Sequence, residues 1–288
     1  MIVGFQSPLD GRTYGLEELH MLGRVMPEAL LREMVRKERD DARHSGLHIT
    51  ITSGLGCPRE MLIHRLLPTT PDPQKLWAVT KGTMLHREMG RAMEQEQGWL
   101  VETREAERCT FHGTLFGVPM SCRVDAVRDD YSRLIDWKFR KDGAEKFVDA
   151  QREAKGEDAA QCNMARMLIE QHVGHALPGM VMEVWVMAGE TVRTVAPHMD
   201  ERQVGEVRAG SGKYSVREVF AMLAGTAGQL AALPLDEPAL DVGPHIESAI
   251  RALPMVGETM YTGRTKSVCK CTSWCSVKEA CYSIQGGI

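Results

Sequence analysis

The stretch that most constrains the fold runs over residues 113–141, GTLFGVPMSCRVDAVRDDYSRLIDWKFRK. Phe116, Val118 and Met120 alternate with polar or small neighbours, and Val124, Ala126 and Val127 continue the apolar pattern. This pattern predicts two or three short strands, with Asp129 and Asp130 as a turn and residues 134–139 as the strand that follows it. Side chains alternate between the faces of a strand, so Asp136 and Lys138 share a face, and Asp125 falls near the facing end of the neighbouring strand. Two carboxylates at close range repel, and a divalent cation relieves that repulsion. A lysine beside such an ion can orient a water or help deprotonate it, and can neutralise charge building on a phosphate. The set therefore suits hydrolysis of a phosphodiester. An ordinary hairpin with solvated charges carries the same letters, and short motifs of this kind recur by chance.

The pattern has company along the chain. Gly82-Thr83-Met84-Leu85-His86 lies upstream on a helical stretch, Gln161 lies downstream on another, and Cys57 is separated from Cys269, Cys271, Cys275 and Cys281 by most of the sequence. In this order the elements resemble the PD-(D/E)XK nuclease superfamily, in its RecB-like iron–sulfur exonuclease branch, which includes AddB-like and CRISPR-associated adaptation nucleases. The resemblance spans residues 49–281. It implies an α/β, restriction-endonuclease-like core: a mixed central sheet flanked by helices, with a C-terminal cysteine cluster closed by an N-terminal cysteine. It further implies Mg²⁺ or Mn²⁺ held by His86, Asp125, Asp136 and the backbone carbonyl of Trp137, with Lys138 and Gln161 in catalytic roles. The family's Q-x-x-x-Y helix has its glutamine at Gln161, but the tyrosine position is Ala165.

With 288 residues the chain has room for one large or two modest domains, and 43% hydrophobic residues is enough for a core. A net charge of −4 argues against a globally basic coating protein, although a nuclease needs only a local basic groove beside its acidic site. No apolar run is long enough to cross a bilayer and no signal pattern opens the chain, so the expectation is a soluble protein, cytoplasmic or intracellular in a phage-infected host, without a membrane partner.

The chain divides into three segments: an N-terminal helical extension over 1–48, the core over 49–233 that the resemblance implies is a nuclease, and a loop with the cysteine segment over 234–288. Helices are predicted over 27–43, from residue 58, over 76–97, over 144–172 with a break at Gly156, over 201–208 and over 214–233. Strands are predicted over 101–111, 180–187 and 191–196, and residues 234–263, rich in Pro and Gly, read as a long loop. Arg140, Lys141 and Lys146 follow the acid-bearing strand closely, and a basic segment there suits contact with a DNA backbone. His86 lies next to an apolar stripe, where a partly buried structural histidine is the plainer alternative.

Cys109, Cys122 and Cys162 sit within apolar patterns and read as small buried hydrophobes. Four cysteines within residues 269–281 of an intracellular chain signal a metal site. Thiolates suit either Zn²⁺ or a [4Fe–4S] cluster, and a zinc knuckle from the four C-terminal cysteines alone is an alternative. The resemblance implies [4Fe–4S] on Cys57, Cys271, Cys275 and Cys281. Its usual C-x2-C spacing is absent here, so Cys269 is the alternative to Cys271. The function expected is a metal-dependent exonuclease acting on single-stranded DNA or duplex ends in repair, recombination or phage DNA processing, alone or with a helicase or recombination partner. The alternative is a catalytically silent nucleic-acid-binding or scaffold subunit on the same stapled fold.

Overall fold

The structure, a computed structural model, describes residues 2–40, 48–140, 154, 156–188, 191–197, 201–209, 214–232, 243–253 and 277–284. The N-terminal segment holds a hairpin that its Pro and Gly content concealed: β1 (Gly4–Gln6) pairs antiparallel with β2 (Thr13–Gly15). Its connection uses Asp10, whose carboxylate accepts the Arg12 N–H at 3.0 Å, and Gly11 at φ 71°. A 3₁₀ helix (Leu16–Leu22) and helix α1 (Glu28–Asp40) cover the hairpin, and Phe5, Leu19, Leu22, Leu31 and Met34 form a separate apolar cluster.

Helix α2 (Pro58–Leu66) begins as the sequence predicts, with Cys57 at the N-cap position and Pro58 in the first turn. Helix α3 (Pro73–Met93) starts ahead of its apolar stripe because the Asp72 carboxylate accepts the Gln74 N–H at 2.9 Å and Pro73 suits the first turn. The strand expected over 101–111 is two strands, not one. β3 (Trp99–Val101) ends where Glu102–Glu105 make a helical turn, and β4 begins only at Thr110 (Thr110–Leu115). The intervening charged run offers no alternate apolar side chains to bury, so nothing holds it extended.

β5 (Val118–Arg123) returns from β4 through Phe116 and Gly117, both at positive φ. β6 (Ala126–Arg128) and β7 (Arg133–Arg140) then form an antiparallel pair across the Asp129-Asp130 turn. Helix α4 (Gly156–Val173) crosses over to β8 (Val181–Ala188), which pairs parallel with β7, and β9 (Thr191–Val195) closes that edge antiparallel. The sheet order is β3-β6-β7-β8-β9. The chain is thus α/β, with a mixed five-stranded sheet flanked by helices. The helix expected over 201–208 is a single turn, Glu201–Val204.

Helix α5 (Val216–Ala231) is capped by Ser215, whose hydroxyl accepts the Glu218 N–H. Part of the loop expected over 234–263 is helix α6 (Gly243–Ala252). Pro244 is tolerated in its first turn, and Ile246 and Ile250, four residues apart, give it an inward stripe that the Pro and Gly content masked. Helix α7 (Lys278–Ile284) packs on α2 and α6. No helix among the described residues is long and apolar enough to cross a membrane.

The two faces of β7 differ. Ile135, Trp137 and Phe139 face α3 and pack with Met89 and Met93. Leu134 faces the larger core, which includes Ala160, Met164 and Leu168 of α4. Asp136, Lys138 and Arg140 continue Leu134's face, by the alternation of a strand.

Candidate active site

The site forms where β6 leaves β7. The two strands pair only through Ala126–Ile135 and Val127–Leu134, because the chain bends at Asp125 toward β5. Beyond that point β7 has no strand on this side. The Trp137 N–H that would have fed the ladder instead donates to Asp125 Oδ2 at 2.7 Å. In an extended strand the N–H and C=O of one residue leave on the same edge, so the Trp137 carbonyl also opens toward this gap.

Side chains from three elements meet there. Asp125 Oδ1 lies 3.1 Å from His86 Nδ1, and the imidazole packs against the rings of Phe139 and Trp137 at centroid distances of 5.1 and 6.0 Å. Lys138 Nζ lies 3.0 Å from Asp136 Oδ1, 2.7 Å from Asp136 Oδ2 and 2.8 Å from Gln161 Oε1. Gln161 Nε2 donates to Asp136 Oδ1 at 3.1 Å, which completes a closed ring of three side chains. Asp125, Asp136, Gln161 and Ala165 line one small pocket, partly open to solvent, with Arg123 also on its wall. Gln161 reaches the strand because α4 crosses from β7 to β8 over this face; Ala165 lies one turn further along the helix.

Burial governs the charges. It lifts the Asp136 carboxyl to about 6, with the Lys138 ammonium pulling the other way and the Asp125 charge adding to the rise. Burial alone would weaken the Lys138 ammonium, but the Asp136 charge outweighs it and the lysine stays firmly protonated. A protonated lysine donates hydrogen bonds and neutralises negative charge; it takes no proton. For His86 burial again favours the neutral form, and the hydrogen bond and charge of Asp125 overcome it, so the imidazole holds its proton more tightly than usual. Asp136 Oδ2 is buried and, although close to Lys138 Nζ, has no aligned hydrogen-bond donor.

The five side chains that the sequence nominated for the centre, His86, Asp125, Asp136, Lys138 and Gln161, are therefore neighbours. They do not form a ready cage. Among the described residues no three His, Cys, Asp or Glu side chains make a group able to hold a metal ion. His86 is bonded to Asp125 on the α3 side, while Asp136 is bonded to Lys138 and Gln161 on the α4 side. Glu102, directly after β3, pairs with Arg123 at 3.2 Å.

Arg140 is not a free cation: its Nη2 lies 2.6 and 2.7 Å from the two oxygens of Asp158. Asp158 went unnoticed in the sequence, though it stands three residues before Gln161, on the same helix face. Lys141 and Lys146 lie outside the described residues, as do Cys269, Cys271 and Cys275. Cys109, Cys122 and Cys162 are buried as expected, and burial pushes the first two thiols up to about 12 and the third well above its ordinary value. Cys57 and Cys281 belong to the same apolar cluster, at α2 and α7.

No family model and no curated protein matches this chain. Among solved structures it is similar to one described as "Crystal structure of SSO0001", with 12% sequence identity, coverage of 68% of this chain and 86% of that one, and a TM-score of 0.44.

Proposed function

We propose that this protein is a divalent-metal-dependent deoxyribonuclease, an exonuclease acting on DNA ends or single strands, on a restriction-endonuclease-like core. The observation that carries the reading is the convergence of Asp125, Asp136 and Gln161 on one pocket, with Lys138 bonded to Asp136 and Gln161 and His86 against Asp125. A structural hairpin has no reason to bury two acids and a lysine together where its ladder breaks, since each buried charge costs free energy unless matched.

The donor types fit a hard divalent ion: two carboxylates, an imidazole and an open strand carbonyl suit Mg²⁺ or Mn²⁺, and the buried Asp136 Oδ2 lacks an aligned donor. Asp125, Asp136, the Trp137 carbonyl and His86 would hold the ion, which when bound supplies Lewis acidity toward the phosphate and its leaving oxygen. Lys138, fixed by Asp136 and Gln161, orients the attacking water and offsets charge on the phosphate. Gln161 keeps the ammonium at the pocket wall. His86 braces Asp125 from the α3 side, and Phe139 and Trp137 hold the imidazole in place.

The test is degradation of end-labelled single- and double-stranded DNA with Mg²⁺ or Mn²⁺. Asp125→Ala and Asp136→Ala abolish it, and Lys138→Ala lowers the rate on the order of 10²- to 10³-fold. Equal activity in wild type and all three variants contradicts the reading. Two observations favour a second one, a catalytically silent nucleic-acid-binding or scaffold subunit: Ala165 in the tyrosine position, and the want of a three-ligand group among the described residues. Intact DNA binding with no hydrolysis by wild type would decide for it.

The cysteines carry a companion proposal. Cys57, Cys271, Cys275 and Cys281 bind a structural [4Fe–4S] cluster, with Cys269 in place of Cys271, or Zn²⁺ in place of the cluster, as the alternatives. The packing of α7, which carries Cys281, against α2, which follows Cys57, supports it.

A further inference from the structure

The face of β7 that carries Asp136 and Lys138 ends at Arg140, and α4 sets Ala165, Gln161 and Asp158 along one side of its helix opposite this row. The two rows run in opposite directions. Gln161 bonds Asp136 and Lys138, and Asp158 bonds Arg140. Asp158 is buried, whereas the Arg140 side chain is 30% exposed. A buried carboxylate must be matched by charge, and here the match uses Nη2 alone. Among the described residues Nη1 and Nε of Arg140 bond nothing. A guanidinium is a rigid fork, so fixing one tip fixes the direction of its remaining donors.

A second anion can be received by those donors. Arg140 lies two strand positions past Lys138, about 6.6 Å along β7, on the scale of one nucleotide step. A DNA strand with one phosphate beside Lys138 therefore carries its neighbouring phosphate past Arg140. We propose that Arg140 binds the phosphate next to the one in the pocket, and that Asp158 is a positioning residue that aims it. The inference rests on the nuclease reading for its ligand, a DNA phosphate, and adds to it a second phosphate subsite and the acid that builds it. The rival is a plain ion pair that only fastens α4 to β7.

Binding of a labelled single-stranded oligonucleotide in Ca²⁺, followed by anisotropy over a salt series, separates the two. Arg140→Gln weakens binding about tenfold and lowers the log–log salt slope by about one, because one phosphate contact is lost. Arg140→Lys keeps the charge and the slope but binds more weakly than wild type, since an ammonium lacks the fork. Asp158→Asn weakens binding several-fold with the slope unchanged, because the charge stays and only its aim is lost. The double variant Asp158→Asn with Arg140→Gln binds no worse than Arg140→Gln alone. A merely structural pair would instead lower the melting temperature and leave the binding of each folded variant unchanged. The proposal is overturned if Arg140→Gln and Arg140→Lys bind as wild type, if Asp158→Asn costs as much with Arg140 replaced as with it present, or if wild type binds no DNA. Failure of the nuclease reading alone would look different: this pattern of binding intact, and no hydrolysis by wild type with Mn²⁺.

Discussion

Asp136 is the residue on which stability and activity pull apart. Folding raises its carboxyl from 3.8 to about 6, so its stabilising contribution is full below the unfolded value and is lost as pH rises through about 6. His86, also raised, runs the same way: its contribution is full below about 6.5 and is lost as pH rises through its folded value. Metal-free protein should therefore lose stability between about pH 4 and pH 7.5, with Asp136 accounting for on the order of 2 kcal/mol over that range. Added Mn²⁺ should recover much of it at the upper end, as measured by thermal melting with and without chelator. A melting temperature that climbs over that range without metal would contradict the assignment. Gly82 offers a second residue-level test. It sits inside α3, a Cβ there would meet nothing within 4 Å, and helix interiors favour Ala over Gly. Gly82→Ala should raise stability by roughly 0.5–1 kcal/mol in a urea titration. At this scale the sequence was legible where spacing carries meaning: Asp136 and Lys138, two apart on a strand, share a face and bond each other. It was silent on Asp158, whose partner is known only once α4 is laid across β7.

Among elements, β7 carries the account, and its alternation made it readable. What alternation cannot supply is pairing. That β6 touches β7 for so short a stretch, leaving the Trp137 N–H to Asp125, comes from the bend at Asp125 and is not encoded in any period. The misread elements share a cause: in residues 101–111 and 234–263 composition stood in for pattern, and the helical turn Glu102–Glu105 and α6 were lost to it. The turn before α2 is tightly built. A Cβ on Gly54 would come within 2.4 Å of the Phe220 ring of α5, so Gly54→Ala should cost about 1–3 kcal/mol in denaturant titration through overpacking. An unchanged midpoint would mean that α5 does not pack here.

For the whole molecule, the C-terminal elements are held by arginines acting as helix caps. Buried Arg59, directly after Cys57-Pro58, donates to the carbonyls of Leu253 and Arg251 at 2.5 and 2.7 Å, and Arg251 donates to that of Ile284 at 2.6 Å. These bonds tie the ends of α6 and α7 to α2, where Cys57 and Cys281 lie. Arg59→Met should cost on the order of 2–3 kcal/mol and hasten proteolysis after α5. Protein purified anaerobically should be brown with bound iron and sulfide, and Cys57→Ser should lose that iron; a colourless, zinc-loaded protein would remove the cluster. The arginine clamp was not legible in the sequence, because a carbonyl acceptor leaves no mark on residue identity. The central claim, that Asp125 and Asp136 share one cation beside Lys138, is tested most directly by anomalous diffraction from crystals soaked in Mn²⁺. A single peak between the two carboxylates, lost in Asp136→Ala, is expected; a peak elsewhere, or none while Mn²⁺-dependent DNA hydrolysis persists, would contradict a shared cation.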